Sequence, residues 1–495
     1  MAERRDDRIR LTRRGFVAAT IAGGLGLVGC GRPATTSPAS STPPATYADM
    51  IKAAEAARPH TGRTVTASLT PQPTTVDLGG PVVRTLAYGD SIPGPLIRAN
   101  VGDELAVSVS NGLDHPTSVH WHGVALRNDM DGAEPATPNI DTGRDFTYRF
   151  SVPDPGTYWA HPHTGLDADF GLYAPVIVDD PREPDRYDAE WIVVLDDWTD
   201  GVGASPQDIY NGLHRDMSGM GGVGTSSLLG GDAGDVSYPY FLVNGRIPAA
   251  PTTFTAKPGQ RIRIRLINAG SDTAFRVALA GHSMTVTHTD GYPVVPKEVD
   301  ALLLGMSERY DVIVTAGDGV FPLVASAEGK NAVARALLST GVGAAPDPDF
   351  RPAELNRRVG TVDMFTSTPE AGLGISGADI NLVAELSGGM MKYDWAINGR
   401  PFPDNQPLSI VEGQRATLTF TNRTMMWHPM HLHGHTFQML DASGGLGARK
   451  DTTIVLPMRT VRVALVADNP GIWMMHCHNT YHQEAGMMTS LNYGL

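Results

Sequence analysis

The chain has 495 residues and a formal net charge of −14. Its first 29 residues are basic, with six Arg against three acids, so the remainder is more acidic than the total suggests. An acidic surface of this kind excludes nucleic acid as a natural partner and favours cationic ones, and the length allows two to four domains with real cores.

In chain order, the first feature is an export segment. Thr12-Arg13-Arg14-Gly15-Phe16-Val17 carries paired arginines ahead of the apolar, Gly/Ala-rich run Phe16 to Gly29. That run is too short to span a bilayer comfortably, and residues 1–29 read as a twin-arginine signal. Leu27-Val28-Gly29-Cys30 follows with the form of a lipoprotein cleavage box, Cys30 being the lipidated residue. Residues 30–60, rich in Pro, Ser and Thr as far as Ala45, fit a flexible tether. The expected location is the outer face of the cell membrane or the periplasm, with the lipid on Cys30 as the membrane contact. The chain has two Cys; if Cys30 takes lipid and Cys477 takes metal, no disulfide remains.

Beyond residue 60 the sequence repeats itself. Val101-Gly102-Asp103-Glu104-Leu105 leads to Asn111, Pro258-Gly259-Gln260-Arg261-Ile262 to Asn268, and Glu412-Gly413-Gln414-Arg415 to Asn422. Gly and Asn stand nine positions apart in each, spanned by alternating or β-branched residues that read as a strand. Asn244-Gly245-Arg246 and Asn398-Gly399-Arg400 precede the second and third of these glycines at one common spacing, and Ile92-Pro93-Gly94-Pro95 holds a comparable place in the first. Short β-rich runs punctuated by Gly and Pro favour sandwiches or barrels over α/β folds. The predicted fold class is therefore all-β, with three units at 61–180, 188–345 and 360–495.

The units differ in their histidines. The sequence contains five His-x-His pairs: His120/His122, His161/His163, His431/His433, His433/His435 and His476/His478. Random placement of 16 His gives roughly half of one such pair. Nine and eleven residues past the repeat Asn, unit one has His120 and His122, and unit three has His431 and His433. Unit two has Val277 and Leu279 there. Five and seven residues after a turn glycine come His161/His163 and His476/His478, whereas unit two offers Val324 and Ser326. A metal cluster between the first and third units is the simplest arrangement, with the middle unit as spacer.

The last motif is His476-Cys477-His478-Asn479-Thr480-Tyr481-His482, with Met487 ten positions after the cysteine. Cys477, His482 and Met487 lack only a second imidazole to make a trigonal His2Cys copper site with a weak axial Met. Successive side chains of an extended strand point to opposite faces, so His476 and His478 turn away from Cys477 towards a second site. Copper bound at both would let electrons arrive at one centre and leave at the other.

With these motifs the chain resembles the three-domain multicopper oxidases, which include laccases and bacterial copper-efflux oxidases. His120-Trp121-His122-Gly123, His161-Pro162-His163, His428-Pro429-Met430-His431-Leu432-His433 and the Cys477 segment carry the likeness over about residues 60–495. The signal and overall pattern look most like actinobacterial, including mycobacterial, lipoprotein copper-resistance oxidases. The resemblance implies three cupredoxin-like Greek-key domains and four copper ions per chain. His428, Cys477 and His482, with Met487 axial, would hold the blue type 1 copper, and His120 and His431 the type 2. One type 3 copper would take His122, His161 and His478, the other His163, His433 and His476. Electrons collected at the blue site would reach O2 through the His476-Cys477-His478 segment. Asp131 matches the family's acid beside the cluster; Gln483 stands where some bacterial members have Glu, which leaves Glu484 as the nearest substitute.

The remaining residues receive plainer readings. His60, His115, His214, His282 and His288 are expected to be structural, and His435 to support a ligand. Met425, Met426, Met430, Met439 and Met488 cluster around the blue-site motif, and soft thioethers favour Cu(I). A Gly-rich stretch over 201–235, with Met217 and Met220, is expected to cover the substrate site. The expectation is a monomeric cuprous oxidase with side activity on phenols or aromatic amines. The alternatives are a laccase-like phenol oxidase and a non-catalytic copper-binding protein. A copper nitrite reductase would not need His on both sides of Cys477, and an electron-transfer cupredoxin would need only one domain.

Overall fold

The computed structural model describes residues 46–183, 187–215, 223–375 and 377–494. The export segment, Cys30, Met217 and Met220 lie outside them. Strands dominate the described residues, and the same strand plan occurs three times in succession.

The repeat strand forms the centre of each unit. Glu104–Ser110 pairs in parallel with Thr64–Leu69 and antiparallel with Asp145–Ser151. Arg261–Asn268 does the same between Ala189–Trp198 and Arg309–Thr315. Arg415–Asn422 does so between Ile380–Ser387 and Thr460–Val466. A second sheet completes each two-layer domain, centred on Gly156–His161, Val320–Ala327 and Ile472–Cys477 respectively. The apolar faces of the paired sheets close the cores, with Trp121, Trp191 and Trp473 fully buried.

The repeated Asn explains why the next strand begins where it does. Asn111 donates through Nδ2 to the carbonyls of His115 and Ile140 and accepts from Leu113 N. Asn268 donates to Thr273 and Leu304 and accepts from Gly270 N. Asn422 donates to Met426, Val455 and Leu456 and accepts from Thr424 N. One side chain thus satisfies several backbone groups of the turn, and buried backbone groups must be satisfied. Asn244 and Asn398 likewise serve one role: both have positive φ, and each accepts from the backbone of the strand beside it. Asn tolerates that region better than most residues.

Two expectations need correction. Residues 47–57 are not tether: Tyr47–Ala57 is a helix, started by a capping box between Thr46 and Asp49 and ended before Pro59. Glu55 Oε1 accepts from Ser151 N at 2.9 Å and Oγ at 2.8 Å, while Arg58 Nη2 donates to Asn469 Oδ1 at 2.9 Å. The helix therefore joins the first domain to the third. In the middle domain, Val277 stands opposite Ala325, so the residues matching the histidine pairs are displaced by one from Val324 and Ser326. A displacement of one residue in a strand reverses the face presented.

Candidate metal centres

The histidine pairs come together because of strand register. His120 stands opposite His161 in the first domain, and His431 opposite His476 in the third. His163, His433 and His478 continue just past the strand ends. Asn128 fastens the two domains beside this point, donating to Ile472 O at 2.7 Å and accepting from Ile472 N at 3.2 Å. Seven of the eight imidazoles are buried, and His163 is half-buried.

Close approaches divide the eight into groups. His161 Nε2 lies 3.5 Å from His122 Nδ1 and 3.3 Å from His478 Nε2. His476 Nε2 lies 3.2 Å from His163 Nε2 and 3.0 Å from His433 Nε2. His120 Nε2 and His431 Nε2 are buried without a hydrogen-bond partner. Burial first, and neighbouring imidazoles second, hold His122, His161, His163, His433, His476 and His478 well below the ordinary imidazole range. They are therefore neutral, the form that ligates a metal. Convergent imidazole nitrogens, two of them buried without a partner, fit a cluster of cations.

Seven imidazoles turn Nε2 inward. The Nδ1 atoms of His120, His161, His431 and His476 face the carbonyls of Asp131, Pro162, Asp451 and Cys477, each at 2.9 Å. His433 Nδ1 lies 2.8 Å from Asp131 Oδ2. Asp131, fully enclosed, thus orients two imidazoles. Glu484 is exposed and outside the imidazole cluster.

A second group lies behind Cys477. His428 Nδ1 and His482 Nδ1 are 3.1 Å apart, and Cys477 Sγ stands 3.6 Å and 3.7 Å from them. Burial pushes the Cys477 thiol up, so its thiolate needs a bound cation, which deprotonates a coordinating thiol. Met487 is buried beside the triangle: its carbonyl accepts from Cys477 N at 3.0 Å and its N donates to His482 O at 2.9 Å. Thr424 Oγ1 lies 2.8 Å from His428 Nε2, and Asp235 Oδ2 lies 2.9 Å from His482 Nε2. These partners leave Nδ1 of both imidazoles facing the sulfur. The Trp395 ring covers His482 at 4.1 Å.

The three domain models of the multicopper oxidase family match residues 71–183, 189–343 and 379–494. The multicopper oxidase MmcO of Mycobacterium tuberculosis is 66% identical over 98% of this chain and 97% of its own. The chain belongs to the multicopper oxidases. A copper resistance protein A homolog of Pseudomonas syringae pv. tomato is 30% identical over 97% of this chain and 98% of its own. Among solved structures, a laccase from Botrytis aclada superposes with a TM-score of 0.72 at 24% identity over 89% of each chain. Fet3p, a multicopper oxidase that functions in iron import, gives 0.74 at 20% identity, covering 87% of this chain and 90% of its own. At those identities the likeness is one of fold, three consecutive cupredoxin-like domains. This multicopper oxidase is thus a copper-dependent oxidoreductase.

Sequence reading missed two buried carboxylates that meet the imidazoles and a buried arginine behind one of them. Asp235 reaches His482 across 247 positions and Asp451 reaches His122 across 329. Arg309, from the middle domain, pairs with Asp451. Single acids in unremarkable surroundings carry no spacing signal. The methionines divide: Met426 and Met430 are buried, while Met425 is 74% exposed and the overlooked Met391 is 86% exposed. His435 Nδ1 faces the His433 carbonyl at 3.0 Å and its Nε2 faces Tyr493 Oη at 2.7 Å. Of the residues between 201 and 235, 206–215 form a helix, and the segment ends at Asp235.

Proposed function

We propose that this multicopper oxidase takes electrons singly from Cu(I) at the Cys477 centre and reduces O2 to water at the eight-histidine cluster. The observation that carries this reading is the strand Ile472–Cys477, whose sulfur lies in one donor triangle while its neighbours His476 and His478 lie in the other group. On that reading Cys477, His428 and His482, with Met487 beside them, hold a type 1 copper. His120 and His431 hold the type 2, and the two remaining triplets hold the type 3 pair. Copper in these places supplies one-electron chemistry at the first centre and multi-electron delivery to O2 at the second. The chain's own part is to orient ten imidazoles, to enclose them away from water, and to hold Asp131 against two of them.

Cu(I) as reductant is supported by the exposed thioethers of Met391 and Met425, by the acidic surface, and by copper-resistance proteins among the relatives. A second reading, phenol oxidation, is favoured by a cavity of about 500 Å3 lined by Asp208, Tyr238 and the same Asp235 that holds His482. That volume lies within the usual range for small-molecule sites. Export through the twin-arginine signal and anchoring by Cys30, both outside the described residues, complete the proposal and place the enzyme outside the cytoplasm.

The test is copper analysis with O2 uptake driven by Cu(I) or by a dimethoxyphenol. The expected result is about four copper ions per chain on the donor count, a blue colour, and a higher kcat/KM for Cu(I). A many-fold preference for the phenol would transfer the role to phenol oxidation. A colourless protein without O2 uptake would leave only copper binding.

A further inference from the structure

His122 is the exception among the eight imidazoles. Its Nδ1 faces the cluster, 3.5 Å from His161 Nε2, and its Nε2 faces outward to Asp451 Oδ1 at 3.1 Å. Asp451 is a third-domain residue with no exposed side chain. Its second partner is Arg309, equally enclosed, which reaches it through Nη1 at 2.8 Å and also through Nη2. Arg309 belongs to the middle domain, yet its Nε donates to Thr157 O of the first at 3.1 Å. All three domains therefore meet at one guanidinium. The Asp451 carbonyl also faces His431 Nδ1 at 2.9 Å, so this residue touches imidazoles contributed by two domains.

A separate observation shows how closely the pair is seated. Gly123, the residue after His122, has φ +84°, and a Cβ there would lie 2.3 Å from Arg309 Nη2 and 2.6 Å from Asp451 Oδ2. The glycine of the His120-Trp121-His122-Gly123 motif is thus required by the ion pair pressed against it, as well as by its backbone angle.

We propose that Arg309 and Asp451 are positioning residues of the O2-reducing cluster, holding His122 with Nδ1 turned inward. The middle domain, which contributes no ligand, acts on the cluster through this pair. The inference rests on the proposed copper assignment. The physical basis is that the hydrogen bond at one ring nitrogen decides which nitrogen is presented to a metal. Lys would keep the charge of Arg309 but not its two-pronged grip.

The test uses copper-loaded full-length enzyme carrying Arg309→Lys, Asp451→Asn, Gly123→Ala or the charge-neutral double change Arg309→Gln with Asp451→Asn. Anaerobic reduction of the blue centre and its reoxidation by O2 are timed separately, and the non-blue copper is followed by electron paramagnetic resonance. Blue-centre reduction is expected within about twofold of the parent, while reoxidation slows about 10–100-fold, the usual effect of removing a ligand's outer partner. The non-blue resonance shifts, and Arg309→Lys recovers part of the rate. The double variant keeps the question open to measurement if a single change leaves an unpaired buried charge and does not fold. Parent-like resonance and reoxidation in a fully copper-loaded double variant would overturn the proposal, as would equal slowing of both half-reactions. A parent enzyme without blue copper or O2 uptake would instead overturn the functional reading. The His122 ring orientation in crystals of the parent and of Asp451→Asn then still reports on the positioning.

Discussion

The middle and third domains follow one strand plan but line it differently. In the third, His431 faces His476 across the pair of strands, and Met430 faces Cys477. In the middle, Val277 faces Ala325 and Phe275 faces Ala327, all buried. Both keep the clamping Asn, as Asn268 and Asn422, with the same kind of carbonyl partners. The scaffold therefore does not depend on the histidine pairs. The middle domain instead places buried polar groups at its borders, where Asp235 meets His482, Asp272 Oδ1 accepts from Asn479 Nδ2 at 2.6 Å, and Arg309 meets Asp451. The histidine-bearing strands receive polar support from outside their own sheet, and the middle domain provides it.

The largest effect that tests this contrast is on the ligand side. Cys477→Ser is expected to abolish oxidase activity and the blue colour, while the eight-imidazole cluster keeps its copper. Metal analysis falling by about one ion per chain, with no residual blue absorbance, is the expected outcome. Persistence of the blue band would show that the sulfur lies elsewhere.

Acid should separate the two kinds of domain next. The cluster imidazoles are held well below their ordinary value of 6.5 in the folded chain. The unfolded chain therefore binds more protons than the folded one below that pH, and stability falls as pH decreases through about 6.5. Each such group contributes a slope of up to about 1.4 kcal/mol per pH unit until its folded pKa is reached. Copper-free protein should thus lose thermal stability steeply between neutral and mildly acid pH, and copper should suppress the loss. A flat Tm over that range would contradict neutral buried imidazoles.

Placing a ligand type in the ligand-free domain tests the scaffold from the other direction. Val277→His puts an imidazole at a fully buried position facing Ala325. It is expected to destabilise by about 1–3 kcal/mol, the penalty for a buried polar group without a partner, and to bind no additional copper. Denaturant unfolding and copper analysis decide both points.

The smallest differences should come from the shared clamp. Asn111→Ala, Asn268→Ala and Asn422→Ala each leave buried carbonyls unsatisfied, at about 1–3 kcal/mol each. The three losses should agree within about 1 kcal/mol if the clamp serves one purpose in all three domains. A much larger loss at Asn422, measured without copper, would tie that clamp to the ligand strand that follows it.

Much of this architecture was legible in the order of residues. The three copies show because the clamp and the positive-φ turn each demand Asn or Gly at a set distance from a strand. The two centres show because strand alternation sends Cys477 one way and His476 and His478 the other, a local geometric rule that needs no knowledge of the fold. Local rules reach only neighbouring residues. The helix Tyr47–Ala57 was hidden by the Pro- and Ser-rich stretch before it, although its capping box is visible at Thr46 and Asp49. The register in the middle domain escaped because a displacement of one residue among apolar side chains leaves no pattern.

What the sequence determined by itself is the donor set: which atoms are soft, which are imidazole, and which share a strand. Only the tertiary structure decided which ring nitrogen His433, His482, His428 and His122 present, because that choice belongs to Asp131, Asp235, Thr424 and Asp451. It likewise decided that a ligand-free domain reaches the cluster through Arg309. Such partners are brought together by the packing of whole domains, and a lone buried charge is recognisable only once the groups that satisfy it are in place.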